Sequence, residues 1–80
     1  MTSTEPEEPH LKILYHHKHI YDFFIKTGEL VNFYPELRKK IVDAYKVENP
    51  HYHYNDRCVS CVVEMLVEVY IWFEKRINNI

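Results

Sequence analysis

In 80 residues the chain has one glycine, one alanine and two cysteines, and its formal net charge is only −2. Scarce glycine argues against a β-rich architecture, because tight hairpin turns commonly need residues at ease at positive φ. The small net charge disfavours a chain built to coat nucleic acid. With 46% hydrophobic and 15% aromatic residues, the composition is that of a folding chain and not of a disordered one. A long apolar run is missing too. The greasiest stretch, residues 62–73 "VVEMLVEVYIWF", is interrupted by Glu64 and Glu68 and falls short of the roughly 20 apolar residues of a bilayer span, so no membrane segment is expected. The opening "MTSTEPEEP" is acidic where a secretory signal is basic and then apolar, which points to an intracellular setting, cytoplasmic or within an infected host cell. Two closely spaced cysteines in such a compartment are expected to stay reduced.

What is present reads as helix. Residues 1–8 carry three glutamates and few apolar side chains, so they predict a flexible acidic tail ahead of a single helical domain over 9–80. From Pro9, Leu11, Leu14, Tyr15, Tyr21 and Ile25 follow helical spacing, and Gly28 stands where a left-handed cap belongs, which predicts a first helix over 9–27 interrupted on its apolar face only by Lys18. Pro35 opens a second, about 35–48, with Leu37, Ile41, Ala44 and Tyr45 on one face and Asn49-Pro50 as its stop. Leu30, Val31, Phe33 and Tyr34 before it read as a turn or a hydrophobic staple. Asn55 or Asp56 is the expected cap of a third helix over about 56–78. The fold class is therefore all-α: a small three-helix domain with a long, largely apolar C-terminal helix.

That last helix is too greasy to stand alone. Two shorter helices can hardly cover it, so part of it is expected to meet another chain, in a homo-oligomer or on a protein partner. The residues expected to be shared between core and partner are Val59, Val62, Val63, Leu66, Val69, Tyr70, Trp72, Phe73 and Ile77. A surplus of tyrosine and tryptophan points the same way, since such rings favour interfaces.

One stretch invites chemistry: "HYHYNDRCVSC", residues 51–61. Cys58 and Cys61 are three apart at a helix start, and His51 and His53 are two apart in an extended segment, so each pair points to one side. Together they make a candidate zinc set, with His16 and His19 as an alternative histidine pair, although zinc signatures usually hold their ligand pairs further apart. Packing of the cysteines as small hydrophobes is the bland reading, and redox use of a CxxC at a helix start is a third that lacks its βαβ context. Catalytic use of His16, His17 and His19 lacks a visible partner or pocket, so no enzyme activity is expected. "RKK" at Arg38–Lys40 reads as the wet face of an amphipathic helix, and nucleic acid binding is disfavoured. The leading reading is a small non-enzymatic interaction protein without a cofactor, and a zinc module is the runner-up. The bias toward Phe, Tyr, Ile, Asn and Lys is what AT-rich codons produce and suggests a phage or other viral source.

Overall fold

The computed structural model describes residues 5–78, and over that range the chain is all-α. Four helices follow in order: α1 Pro9–His16, α2 Lys18–Thr27, α3 Pro35–Lys46 and α4 Val59–Asn78. Of the expected acidic tail, residues 1–4 lie outside the described range. Residues 5–8 are irregular, with Glu5 bonded to His16 and Glu8 to Arg76.

The predicted first helix is broken into α1 and α2 at His17, whose φ and ψ of −108° and 7° leave the helical region. The amide of His17 donates back to the Leu14 carbonyl at 3.3 Å, a three-residue step that tightens the last turn of α1. The buried Tyr70 hydroxyl of α4 donates to the same carbonyl at 2.8 Å. The break therefore has a partner reaching in from another helix, and it aims the two halves differently: α1 packs chiefly on α3, whereas α2 packs on α4. Lys18, which looked like an interruption, sits just past the break and bridges Asp22 at 2.8 Å and Glu74 of α4 at 3.2 Å.

The glycine expectation holds. Gly28 has φ 80° and its amide donates to the Phe24 carbonyl, closing α2 with a left-handed cap. Pro35 opens α3 as predicted, and the staple before it takes an unusual form: the Arg38 guanidinium lies 5.9 Å over the Phe33 ring where an apolar pair was expected. At the far end Asn49 returns both its backbone and its side-chain amide to the Tyr45 carbonyl, each at 3.1 Å.

Helix α4 begins three residues later than its predicted start, and the cap is not Asn55 or Asp56. Asn55 instead folds the preceding turn by accepting the Arg57 amide at 3.0 Å. Cys58 takes the cap position. Its carbonyl receives the Val62 amide and its sulfur receives the Cys61 amide at 3.3 Å, the same orphan donor that a serine or aspartate oxygen would serve.

Leu11, Leu14, Ile41, Met65, Leu66, Val69, Tyr70 and Phe73 are fully buried and form the centre of the core. Tyr70 stacks on Tyr21 of α2 at 5.2 Å, which gives the α2–α4 contact an aromatic pair, and meets Phe73 of its own helix edge-on. The molecule measures 37 × 30 × 19 Å. Its thin dimension accommodates about two helix diameters, so a helix such as α4 is covered from one side and open on the other.

Candidate docking face of the C-terminal helix

The residues expected to be shared along α4 separate cleanly. Leu66, Val69, Tyr70 and Phe73 have no exposed surface, and Val62 has little, so these belong to the chain's own core. Ile77 is half-buried at the edge of that core. Val59 is 81% exposed, at the rim of a small hollow beside Leu30, Phe33 and Arg38. Val63 and Trp72 are half-buried on the outer side of the helix, together with two residues that the sequence reading left out, Val67 and the 43% exposed Ile71.

These outer residues line one open groove of about 550 Å³. Val63, Val67, Ile71 and Lys75 form one ridge at four-residue spacing, and Glu64, Glu68 and Trp72 form the next. The signal for Val67 and Ile71 was available in the spacing, since each continues the row begun at Val63. What hid them was the uniform greasiness of the helix, in which core and outer rows look alike.

The groove floor is held by an aromatic cluster. Trp72 meets the Tyr45 ring edge-on at 5.1 Å, Tyr45 meets Tyr52 at 4.9 Å, and Tyr52 stacks on Tyr54. Tyr52 and Tyr54 thereby anchor the loop between α3 and α4, so much of the aromatic surplus serves the fold. Tyr34, at 60% exposed, is one ring that remains largely on the surface. The Tyr45 hydroxyl donates to Glu68 at 3.2 Å. Burial, and then the negative charge of Glu68, pushes the Tyr52 hydroxyl up to about 12, and the same two causes raise Tyr45.

Among the described residues, Glu64, Glu68 and Lys75 form no ion pair within the chain. Some surface charges are paired, Lys39 with Asp43, Lys18 with Asp22 and Glu74, and Arg76 with Glu8 and Glu48, while Lys12, Lys26, Glu29, Glu36, Lys40, Lys46, Asp56 and Arg57 share with the α4 charges the lack of an ion pair among the described residues. The "RKK" run is thus not one patch, since Arg38 is turned onto Phe33 and Lys39 is neutralised.

The candidate zinc set is not gathered. The expectation of free thiols is corrected, because Cys58 and Cys61 are joined to each other as a disulfide. The local geometry permits it: a CxxC entering a helix places the two Cα atoms 5.1 Å apart, inside the range a disulfide spans. His51 and His53 are exposed, His16 pairs with Glu5 at 2.9 Å, and the His19 ring lies 6.4 Å from that of His17. Among the described residues, one group of three metal-type side chains does converge: Glu8, His10 and Glu48. Arg76 already serves it, donating to both Glu48 oxygens at 3.0 and 3.2 Å and to Glu8 at 3.1 Å, while His10 bonds Glu48 at 2.7 Å. The hydrogen bonds from Arg76 and His10 hold the Glu48 carboxyl below its ordinary range. This cluster ties the start of α1, the end of α3 and the end of α4 together.

No helix among the described residues is long and apolar enough to cross a membrane. No protein-family model, no curated protein and no solved structure matches this chain.

Proposed function

We propose that this chain is a small non-enzymatic interaction protein that works by docking the outer face of α4 on a protein surface. The observation that carries the reading is the row Val63, Val67 and Ile71 with Trp72, left partly exposed on the open side of a two-layer fold and edged by Glu64, Glu68 and Lys75. Apolar rows rimmed by polar groups are where soluble proteins meet others.

The zinc reading through Cys58, Cys61, His51 and His53 would require reduction of the disulfide and the drawing in of two exposed histidines. No observation here favours it over docking.

A photo-cross-linking amino acid placed at Val67 tests the proposal in the cell that makes the protein. Protein adducts are expected from position 67 and not from the control position Lys39, which is exposed on α3. Equal adducts from both positions, or none from position 67, would refute it.

A further inference from the structure

We propose that the Cys58–Cys61 pair is a reversible thiol–disulfide exchange site for low-molecular-weight disulfides and thiols, with Cys58 as its attacking sulfur. The site lies at the first turn of α4 and is independent of what docks on the outer face of that helix. Both cysteines are half-buried, and they are flanked by the exposed Arg57, Val59 and Ser60, so a small thiol or disulfide reaches them from solvent. The two sulfurs differ in what surrounds them. Cys58 stands at the cap of a 20-residue helix, where its sulfur accepts the Cys61 amide at 3.3 Å and has the Ser60 hydroxyl at the same distance. The backbone sets that cap position, since the Cys58 carbonyl receives the Val62 amide at 3.0 Å, so reduction leaves both donors within reach. A thiolate at Cys58 therefore takes two charge-assisted hydrogen bonds at the positive end of α4. Among the described residues no donor reaches the Cys61 sulfur, and Glu64, three residues further along the same side of the helix, opposes a negative charge there. Asp56 and Arg57, just before the cap, bring one charge of each sign.

In the oxidising direction the Cys58 thiolate attacks one sulfur of a small disulfide RSSR. The bond from Cys58 to that sulfur forms, the S–S bond of RSSR breaks, and one RS⁻ leaves and takes a proton from water. Cys61 then gives its proton to water and attacks the Cys58 sulfur, which closes the Cys58–Cys61 bond and releases the second RS⁻. Two electrons pass from the two cysteines to RSSR, which departs as two RSH, and an excess of RSH runs the same steps backward. Closure needs no backbone movement, because the two Cα atoms stand 5.1 Å apart. Each chain exchanges one disulfide, a stoichiometric event that asks for no turnover.

The test mixes the reduced full chain with glutathione disulfide and follows the adducts by mass spectrometry, with circular dichroism as the check that each variant is folded. Wild type is expected to close to the Cys58–Cys61 disulfide and release its glutathione. Cys61→Ser should instead hold one glutathione on Cys58, formed about ten-fold or more faster than the adduct on Cys61 in Cys58→Ser. In concentrated urea the two variants should react at similar rates, because the donors around Cys58 belong to the fold. Alkylation of the reduced wild type by iodoacetamide, mapped by peptide mass, ranks the sulfurs without any substitution, and Cys58 should be labelled first. Equal rates for the two folded variants, earlier labelling of Cys61, or a wild type that keeps its glutathione without closing would overturn the proposal.

Discussion

Replacing Tyr70 with phenylalanine removes one oxygen from the centre of the fold and tests why the first helix is broken. The hydroxyl is wholly buried, and its one hydrogen bond runs to the Leu14 carbonyl at 2.8 Å, across 56 residues of sequence. A typical intramolecular hydrogen bond contributes about 0.5–1.5 kcal/mol net, and a buried acceptor left without a partner costs about 1–3 kcal/mol. Leu14 would not be wholly orphaned, because the His17 amide still reaches its carbonyl at 3.3 Å. The expected loss is therefore about 1–2 kcal/mol, below the full desolvation cost. For a domain of this size that lowers Tm by about 5–15 °C. Urea denaturation gives the free energy and a thermal scan the midpoint. Tyr45→Phe is the comparison: its hydroxyl reaches the exposed Glu68 at 3.2 Å in a part-buried bond and should cost less. Amides 17–20, next to the break, should exchange faster in Tyr70→Phe if this bond holds the two halves in place. A loss within about 0.5 kcal/mol, no larger than that of Tyr45→Phe, would refute the idea that Tyr70 secures the break.

Other perturbations reach the charged cluster, the break and the cysteines. Glu48→Gln should cost about 0.5–1 kcal/mol near neutral pH, discounted for solvent exposure. The native carboxyl titrates below its ordinary value, so its stabilisation is present above that value and is lost as pH falls through the lowered one; wild type and variant should converge in acid, and curves that stay parallel down to about pH 3 would contradict this. Burial, with His19, Lys40 and His16 nearby, holds the His17 pKa below its usual 6.5. Its contribution is full above that value and falls as pH drops, so wild type should lose more stability than His17→Gln between about pH 7 and about pH 5; an equal loss would refute the assignment. Cys58→Ser with Cys61→Ser opens a loop of only four residues and should cost about 2 kcal/mol or less with helix content retained. Collapse of the fold would instead favour the zinc module.

The parts of the fold that rest on local chemistry were legible in the residues. Pro35 begins a helix and Gly28 ends one because each suits its backbone position without help from elsewhere. The break at His17 was not legible, since the donor that attends it arrives from Tyr70 on another helix. The same limit hid the cluster joining Glu8, His10, Glu48 and Arg76, whose members come together only after three helices have packed. At Cys58 a side chain rarely counted as a cap took the place of two better ones, and Asn55 was used in the turn before it. On α4 the total of apolar residues signalled that some surface would be left over. Which rows faced outward depended on where α1, α2 and α3 came to lie, so Leu66 and Val69 went to the core while Val67 and Ile71 stayed out.

The most direct measurement is a scan of photo-cross-linking positions over the surface of the chain in the cell that makes it. Docking of the outer α4 face predicts protein adducts from Val63, Val67, Ile71 and Trp72, with few from exposed positions on other helices such as Lys12 and Lys26. Adducts confined to another surface, such as the hollow beside Phe23 and Val31, or none at any position, would contradict it.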